Sequence, residues 1–257
     1  AEEIRLLKRH IEDAGKHVPV IAKIEKHEAL EHIEEIVEAA DAVMVARGDL
    51  GVEIPLQRVP GIQKMIVRRA NDAGKPVIIA TQMLRSMVEA PRPTRAEAGD
   101  VANAVLDGAD AVMLSEETAS GRHPVEAVKY MARIAGEAEI DYPHEKYLQM
   151  LSKTDAAKAL AYAACVVARQ IGAAAIVATT RSGFTALQIA RFKPAHPLLA
   201  LSPEAATARR LALCWGCTSR TITEDQDTDH RLETAAEAAI ASGIVKKGDW
   251  VVIDRKS

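Results

Sequence analysis

The stretch AVMVARGDLG, at residues 42–51, begins as an uninterrupted apolar run and ends in a charged turn that contains glycine. An apolar run without alternation is typical of a strand buried on both faces, as in a parallel sheet covered by helices. In such sheets, binding sites lie beyond the carboxyl ends of the strands. The stretch therefore predicts an α/β fold with a candidate site at Arg47, Gly48 and Asp49.

Similar strands recur on both sides of this stretch, at Val18–Ile24, Pro76–Ala80 and Asp110–Ser115. Amphipathic helical patterns surround them and cover Glu2–Ala14, Glu28–Ala40, Leu56–Ala73, 94–108 and Pro124–Glu139. We expect Gly74 to end the third of these helices in the left-handed conformation. Thr94 and Glu97 have the spacing of a capping box at the start of the fourth.

Four successive strand–helix units fit either a closed barrel or a doubly wound sheet. A closed barrel of this kind needs eight strands, so four strands would leave two open edges and an exposed apolar face. We therefore expect the chain to be a fragment, or half of a fold that another chain completes.

A polar, helix-breaking stretch follows at 141–146, and we predict a linker over 141–153. The α/β pattern then resumes over 154–257, which predicts a small three-layer α/β domain. The strands predicted there are Ala174–Thr179, His196–Leu201, Thr218–Thr223 and Asp249–Ile253. Helices are predicted over Asp155–Ile171, Ala186–Arg191, the segment after Ser202-Pro203, and Asp229–Ser242.

The composition excludes several classes of function. Lys and Arg number 33 against 36 Asp and Glu, for a net charge of −3, and aromatic residues are only 3%. The chain therefore lacks both the basic surplus and the stacking rings that nucleic-acid binding uses. No uncharged run approaches the ~20 residues that span a bilayer, and no charged-then-apolar leader opens the sequence. We expect a cytoplasmic protein without nucleic-acid or membrane partners.

The cysteines Cys165, Cys214 and Cys217 are few and odd in number, which argues against a disulfide framework. Cys214 and Cys217 form a CxxC pair that is typical either of a redox or zinc site, or of two small buried residues beside a turn. Without a second such pair, we favour the structural interpretation. The eight histidines show no metal-ligand spacing.

Lys23 and Glu25 lie two residues apart on the first predicted strand and therefore share a face. Asp49 follows the second strand at the same edge of the sheet. Two carboxylates with room for substrate oxygens and water suit Mg²⁺ or Mn²⁺ better than zinc. We predict a cation site at Glu25 and Asp49 beside the Lys23 ammonium, with a structural ion pair as the alternative.

The third and fourth strands also end in polar residues. Thr81 ends the third, and Ser115 and Glu117 end the fourth. Hydroxyl groups and a carboxylate at this edge could relay a proton, although each residue alone is also a common helix cap.

In the second domain, the sequence TTRSGFT links a predicted strand to a helix. Hydroxyl groups, a glycine and amides at a helix start can bind an anion, and an arginine adds charge. We predict a phosphate-binding loop here, with simple capping as the alternative. It lacks the lysine of a P-loop, which argues against ATP hydrolysis. Its candidate residues are Thr179, Thr180, Arg181, Ser182, Gly183 and Thr185.

Several long motifs, in this order, resemble the pyruvate kinase family. The resemblance is dense from about residue 18 to 139 and looser in the second domain. The residues that carry it are Lys23 with Ile24–Glu28, Met44–Gly51, Ala80–Met83, Pro91–Glu97 and Asp100–Asp110.

The resemblance implies phosphoryl transfer from phosphoenolpyruvate to ADP, followed by protonation of the enolate to pyruvate. It also implies the fold: residues 1–140 as the second half of a TIM-type (β/α)8 barrel, the linker, and residues 154–257 as a regulatory α/β domain truncated at its end.

The resemblance assigns roles to the candidate residues. Lys23 would stabilise charge on the transferred phosphoryl group and the enolate, and Glu25 and Asp49 would bind the divalent cation. The amides of Gly48 and Asp49 would receive the substrate carboxylate, and Arg47 would support that loop. The remaining implied roles are Thr81 beside the substrate, Ser115 and Glu117 in proton delivery, residues 179–185 in binding an allosteric sugar phosphate, and Arg92 and Arg95 in subunit contacts of a homo-oligomer.

The family's first four strands, its lid domain and its K⁺ ligands have no counterpart in this sequence. The resemblance therefore implies that the chain alone is inactive as a kinase. Two other hypotheses stay open. One is a metal-dependent aldolase or lyase of keto acids, which Lys23 and the Pro91–Glu97 motif disfavour. The other is a non-catalytic module that binds a sugar phosphate or assists assembly.

Overall fold

A computed structural model describes residues 1–150, 155–223 and 228–255 of the chain. These residues form two compact units, Ala1–Pro143 and His144–Ser257. Each unit carries its own sheet, and every strand pairing is parallel. The α/β class predicted from the apolar runs is therefore confirmed.

The sheet of the first unit follows chain order, β1-β2-β3-β4. Its strands are β1 (Ile21–Ile24), β2 (Ala42–Ala46), β3 (Val77–Ala80) and β4 (Ala111–Met113). Sequential parallel order aligns all four carboxyl ends along one edge, with Ala46 opposite Ala80 and Ala80 opposite Met113. The polar residues that follow the strands are thereby brought to a common edge.

Aspartates define the opposite edge of this sheet. The Asp41 carboxylate accepts the Val20 amide at 2.7 Å, and the Asp110 carboxylate accepts the Val77 amide at 3.0 Å. The Asp41 and Asp110 amides in turn donate to the Val20 and Val77 carbonyls, each at 2.9 Å. β1 begins at Ile21 rather than at the predicted Val18, and β4 begins at Ala111.

Helices cover the sheet of the first unit. They are α1 (Glu2–Asp13), α2 (His27–Glu31), α3 (Ile33–Ala39), α4 (Arg47–Glu53), α5 (Val59–Ala73), α6 (Arg95–Leu106), α7 (Glu116–Ala119) and α8 (Pro124–Ile140). The predicted helix over 28–40 is interrupted at His32, whose ψ of 22° leaves the helical range. The predicted helix over 56–73 opens with a separate 3₁₀ turn at Leu56–Arg58.

The predicted helix caps are confirmed. Gly74 ends α5 with φ +70°, a conformation that glycine adopts without steric cost. At the start of α6, the Glu97 amide donates to the Thr94 hydroxyl at 3.2 Å, and the Thr94 amide donates to the Glu97 carboxylate at 2.8 Å. These bonds satisfy two donors that a helix start otherwise leaves unpaired.

The sheet of the second unit has the order β7-β6-β5-β8. Its strands are β5 (Ala175–Thr179), β6 (Leu198–Ser202), β7 (Cys217–Thr221) and β8 (Val251–Arg255). The helices are α9 (His144–Met150), α10 (Ala156–Ile171), α11 (Phe184–Ala190), α12 (Ala205–Leu211) and α13 (Thr228–Ala241). Parallel strands separated by helices agree with the predicted α/β domain.

Part of the segment predicted as a linker, 141–153, is helical in the structure, since His144–Met150 forms α9. Tyr147 and Leu148 are buried in the second unit, and Glu145 forms an ion pair with Arg169 at 2.9 Å. These contacts stabilise a helix that the polar composition of the segment does not indicate. Residues 151–153 lie outside the described residues.

The CxxC pair lies beside a turn, in agreement with the structural interpretation. The Cys217 amide donates to the Cys214 carbonyl at 3.3 Å, and Gly216 within the turn has φ +57°. Cys214 and Cys217 form no disulfide with the described residues, and burial raises the pKa of Cys217 to about 12. Such a thiol is a weak nucleophile at neutral pH.

No helix among residues 1–150, 155–223 and 228–255 has the length and apolar character needed to cross a membrane.

Candidate active site

Lys23, Glu25 and Asp49 meet at the carboxyl edge of the first sheet. The Lys23 ammonium contacts the Glu25 carboxylate and lies 2.9 Å from Asp49 Oδ2. Lys23 and Glu25 project from the end of β1, whereas Asp49 lies in the first turn of α4, directly after β2. The parallel pairing of β1 with β2 brings these groups together across 26 residues of sequence.

The charges in this group reinforce one another. Hydrogen bonds to Glu25 and Asp49 raise the pKa of Lys23, and the bond from Lys23 lowers the pKa of Asp49. At neutral pH the lysine is therefore a permanent cation and Asp49 a permanent anion. Lys23 is suited to electrostatic stabilisation of an anion rather than to proton transfer.

The two carboxylates fit a hard divalent cation. Their side chains are 35% and 56% exposed, so both can turn toward a ligand. No group of three or more His, Cys, Asp or Glu side chains in the described part of the chain is placed to hold a metal. A site with two carboxylates is nevertheless typical of Mg²⁺, which takes its other ligands from substrate oxygens and water.

Thr81 and Gln82 form a strained turn at the end of β3. Their φ angles are +71° and +54°, in a region that a β-branched residue such as threonine rarely adopts. In this conformation the Thr81 hydroxyl accepts a hydrogen bond from the Gly48 amide at 2.8 Å. A Cβ atom on Gly48 would lie 3.3 Å from that hydroxyl oxygen, so glycine permits the close approach.

The Arg47 guanidinium lies inside this edge of the sheet, with the side chain 10% exposed. It donates to the Thr81 carbonyl at 2.9 Å and to Asp100 Oδ1 at 2.7 Å. These two bonds connect the start of α4 to α6 and to the turn after β3.

Glu117 is 1% exposed, and each of its carboxylate oxygens accepts a hydrogen bond from a backbone amide. One oxygen accepts the Leu84 amide at 3.0 Å and the other accepts the Ser115 amide at 2.8 Å. The contact from Glu117 to Ser115 therefore involves the Ser115 backbone. These bonds join the segment after β3 to the end of β4, and they are what a purely structural carboxylate would make.

The loop over 179–185 uses its hydroxyl groups as internal caps. Thr180 Oγ1 accepts the Gly183 amide at 3.0 Å, and Ser182 Oγ accepts the Phe184 amide at 3.4 Å. Arg181 lies at the surface, 3.2 Å from Glu204. Thr179 ends β5, and Thr185 is buried in α11.

Arg92 and Arg95, the predicted subunit contacts, are exposed at the start of α6. The structure also adds two residues that the sequence analysis did not assign. Asp100 binds Arg47, and Gln63 Oε1 accepts from the same guanidinium at 3.4 Å. The sequence could have pointed to Gln63 through its position on the apolar face of the predicted helix, because a buried side-chain amide needs a hydrogen-bond partner.

Two family models match the chain. The model "Pyruvate kinase, barrel domain" covers residues 1–128, and the model "Pyruvate kinase, alpha/beta domain" covers residues 158–255. These matches confirm the resemblance and assign the first unit to part of the barrel domain.

Curated relatives agree with both family models. The chain is 50% identical over 240 residues to a pyruvate kinase of Geobacillus stearothermophilus, which covers 92% of this chain and 41% of that protein. It is 47% identical over 253 residues to a pyruvate kinase of Corynebacterium glutamicum, with 98% and 52% covered. A Clostridium acetobutylicum pyruvate kinase is 44% identical over 245 residues, with 94% and 52% covered. The chain spans about half the length of these relatives, and it belongs to the pyruvate kinase family.

Proposed function

We propose that this chain contributes one side of an active site that transfers a phosphoryl group from phosphoenolpyruvate to ADP and yields pyruvate and ATP. The observation that carries the proposal is the contact of Lys23 with both Glu25 and Asp49 at the carboxyl edge of the sheet. Family membership supports it, because the three relatives described above are named pyruvate kinases.

Lys23 serves as the fixed cation of this site. The transferred phosphoryl group and the enolate that it leaves are both anionic, and a preorganised ammonium stabilises such charge as it develops. The two carboxylates hold the ammonium in place and keep it protonated, since they raise the Lys23 pKa.

Glu25 and Asp49 are the residues that would hold Mg²⁺ or Mn²⁺. A bound divalent cation neutralises charge on phosphoryl and carboxylate oxygens. Because both carboxylates now contact Lys23, we expect cation binding to weaken those ion pairs and to free the ammonium for substrate.

Thr81 acts on the protonation side of the substrate. Its oxygen accepts from Gly48, so its own hydroxyl proton remains available to donate. The Gly48 amide that donates to this hydroxyl is one of the two amides that we propose receive the substrate carboxylate, so the bond holds Thr81 beside the proposed carboxylate position.

The test is a lactate dehydrogenase-coupled assay of pyruvate formation in the protein as its gene encodes it. Lys23→Met should lower kcat by about 10²–10³-fold, the loss expected when one preorganised charge-stabilising group is removed. Lys26→Met, which removes an exposed cation three residues away, is the matched control. Equal activity of the two variants would contradict the role of Lys23, and the absence of activity in the parent would contradict the function.

We also propose that residues 179–185 bind the phosphate of a sugar-phosphate effector. The surface position of Arg181 and Ser182 supports this, whereas the internal caps favour a structural role. Calorimetry with sugar phosphates tests the proposal. Heat that disappears in Ser182→Ala supports effector binding, and no heat in the parent contradicts it.

Arg92 and Arg95 are exposed, and we propose that they contribute to contacts between subunits of a homo-oligomer. Light scattering on the parent and on a double Ala variant tests this. A smaller mass for the variant supports the proposal, and a monomeric parent contradicts it.

A further inference from the structure

The turn at Thr81 and Gln82 requires an external support. Two consecutive residues other than glycine have positive φ, and Thr81 is β-branched. Such conformations persist where surrounding contacts impose them, and they concentrate at functional sites. The turn follows β3 directly, and its neighbours Met83 and Leu84 are fully buried.

Arg47 supplies that support from the neighbouring strand end. One terminal nitrogen of its guanidinium donates to the Thr81 carbonyl at 2.9 Å and contacts Met83 Sδ at 2.8 Å. The carbonyl of a left-handed residue is thereby tied to a nearly buried cation. Rotation of the Thr81 peptide would break this bond and also move the hydroxyl that accepts from Gly48.

Asp100 in turn fixes Arg47. The second terminal nitrogen of Arg47 lies 2.7 Å from Asp100 Oδ1, and Asp100 is anchored in α6 rather than in the loop. Gln63 accepts from the same nitrogen at the longer distance of 3.4 Å. A charge-assisted bond at 2.7 Å is the stronger of the two restraints.

We propose that Asp100 is a positioning residue: through Arg47 it keeps the Thr81–Gln82 turn in its left-handed conformation, and so keeps the Thr81 hydroxyl against the Gly48 amide. Asp100 acts on Thr81 only through Arg47. The predicted effect of Asp100 on catalysis rests on the proposed function, whereas its predicted effect on the conformation of the turn does not.

The conformational part is tested by hydrogen–deuterium exchange on peptides covering 46–50 and 81–84. Asp100→Ala should raise exchange there by about tenfold, equivalent to about 1.4 kcal/mol. Asp100→Asn keeps an acceptor oxygen and should restore part of the protection. Glu126→Gln is the matched control. Glu126 is also a helical carboxylate in an ion pair, 2.8 Å from Lys129 Nζ, but it has no bond to Arg47 among the described contacts.

The functional part is tested by steady-state kinetics of the same variants in the protein as its gene encodes it. A misplaced Thr81 and Gly48 should raise KM for phosphoenolpyruvate and lower kcat, by about tenfold or more in kcat/KM, and leave KM for ADP unchanged. A merely structural loss would lower the active fraction, and therefore kcat alone.

The outcomes separate the two proposals. Unchanged exchange at 46–50 and 81–84, or faster exchange throughout the first unit, overturns the positioning role. An unchanged KM for phosphoenolpyruvate overturns its link to the reaction. If exchange rises locally but the parent lacks pyruvate-forming activity, the proposed function fails and the positioning of the turn stands. Should Asp100→Ala not fold, Asp100→Asn carries the same comparison.

Discussion

Replacing Glu117 by glutamine distinguishes a structural carboxylate from a catalytic one. Glu117 is 1% exposed, and its two oxygens accept the amides of Leu84 and Ser115 at 3.0 and 2.8 Å. Glutamine has nearly the same shape but only one accepting oxygen. The substitution therefore leaves one of these two amides without an acceptor.

The expected cost follows from these two bonds. A buried amide left unpaired costs about 1–3 kcal/mol. The surviving bond loses its charge assistance, which removes about 1 kcal/mol more. The first unit should thus be destabilised by about 2–4 kcal/mol, which lowers its urea midpoint by about 1–2 M at an ordinary denaturant slope.

The assay is urea unfolding followed by far-ultraviolet circular dichroism and by tryptophan emission. Both tryptophans, Trp215 and Trp250, lie in the second unit, so their emission reports that unit alone. Glu116→Gln is the control: Glu116 neighbours Glu117 in α7 but is exposed and paired with Arg85 at 2.9 Å. Its loss should change stability by less than about 1 kcal/mol.

One result would refute the structural reasoning. If Glu117→Gln and Glu116→Gln unfold at the same urea concentration while only Glu117→Gln loses pyruvate-forming activity, the carboxylate acts in proton delivery. A large loss of stability at Glu117 alone supports the structural role.

Three further substitutions test individual contacts. Hydrogen bonds from Ser86 and Thr94 outweigh burial and lower the pKa of Glu97, so Glu97→Gln should reduce stability at pH 7 by about 1–2 kcal/mol. The difference in stability between the parent and the variant should vanish as the pH falls through the lowered pKa of Glu97, because the parent carboxylate then becomes protonated. A difference that persists in acid contradicts the role of the charged carboxylate. Gly99 lies inside α6, and apart from the backbone of that helix and the adjacent residues, a Cβ there would meet no atom within 4 Å. Gly99→Ala should therefore stabilise the first unit by about 0.5–1 kcal/mol, seen as a higher Tm. Gly183 has φ +85°, and a Cβ there would lie 3.3 Å from the Arg210 and Leu211 side chains of α12. Gly183→Ala should therefore destabilise the second unit by about 1–2 kcal/mol, and an unchanged tryptophan transition would argue otherwise.

The strands could be predicted because short apolar runs are a strong local signal, and β2, β3, β5 and β6 are indeed buried on both faces. Ala42–Ala46 agrees with its predicted bounds, whereas β1 begins at Ile21 instead of Val18, and β4 covers only Ala111–Met113 of the predicted Asp110–Ser115. The helices α4 and α7 were not predicted. With seven and four residues they are too short for a periodic pattern, and α7 carries the buried Glu117 that binds the backbone of a distant segment.

At the candidate site, the shared face of Lys23 and Glu25 follows from strand alternation alone. Their contact with Asp49 depends in addition on the pairing of β1 with β2. The left-handed turn at Thr81 could not be predicted, because a β-branched residue disfavours that conformation locally. It exists because Arg47, 34 residues earlier, binds its carbonyl.

By itself, the amino-acid sequence determined the α/β class, the approximate positions of the strands along the chain and the types of side chain that follow them. Only the tertiary structure decided how those side chains are used: Asp49 stays half exposed beside Lys23, whereas Glu117 is buried on two amides. Both are acidic residues just after a strand, and composition cannot separate them. Their different environments arise from hydrogen-bond partners tens of residues away, whose positions follow from sheet register and helix packing.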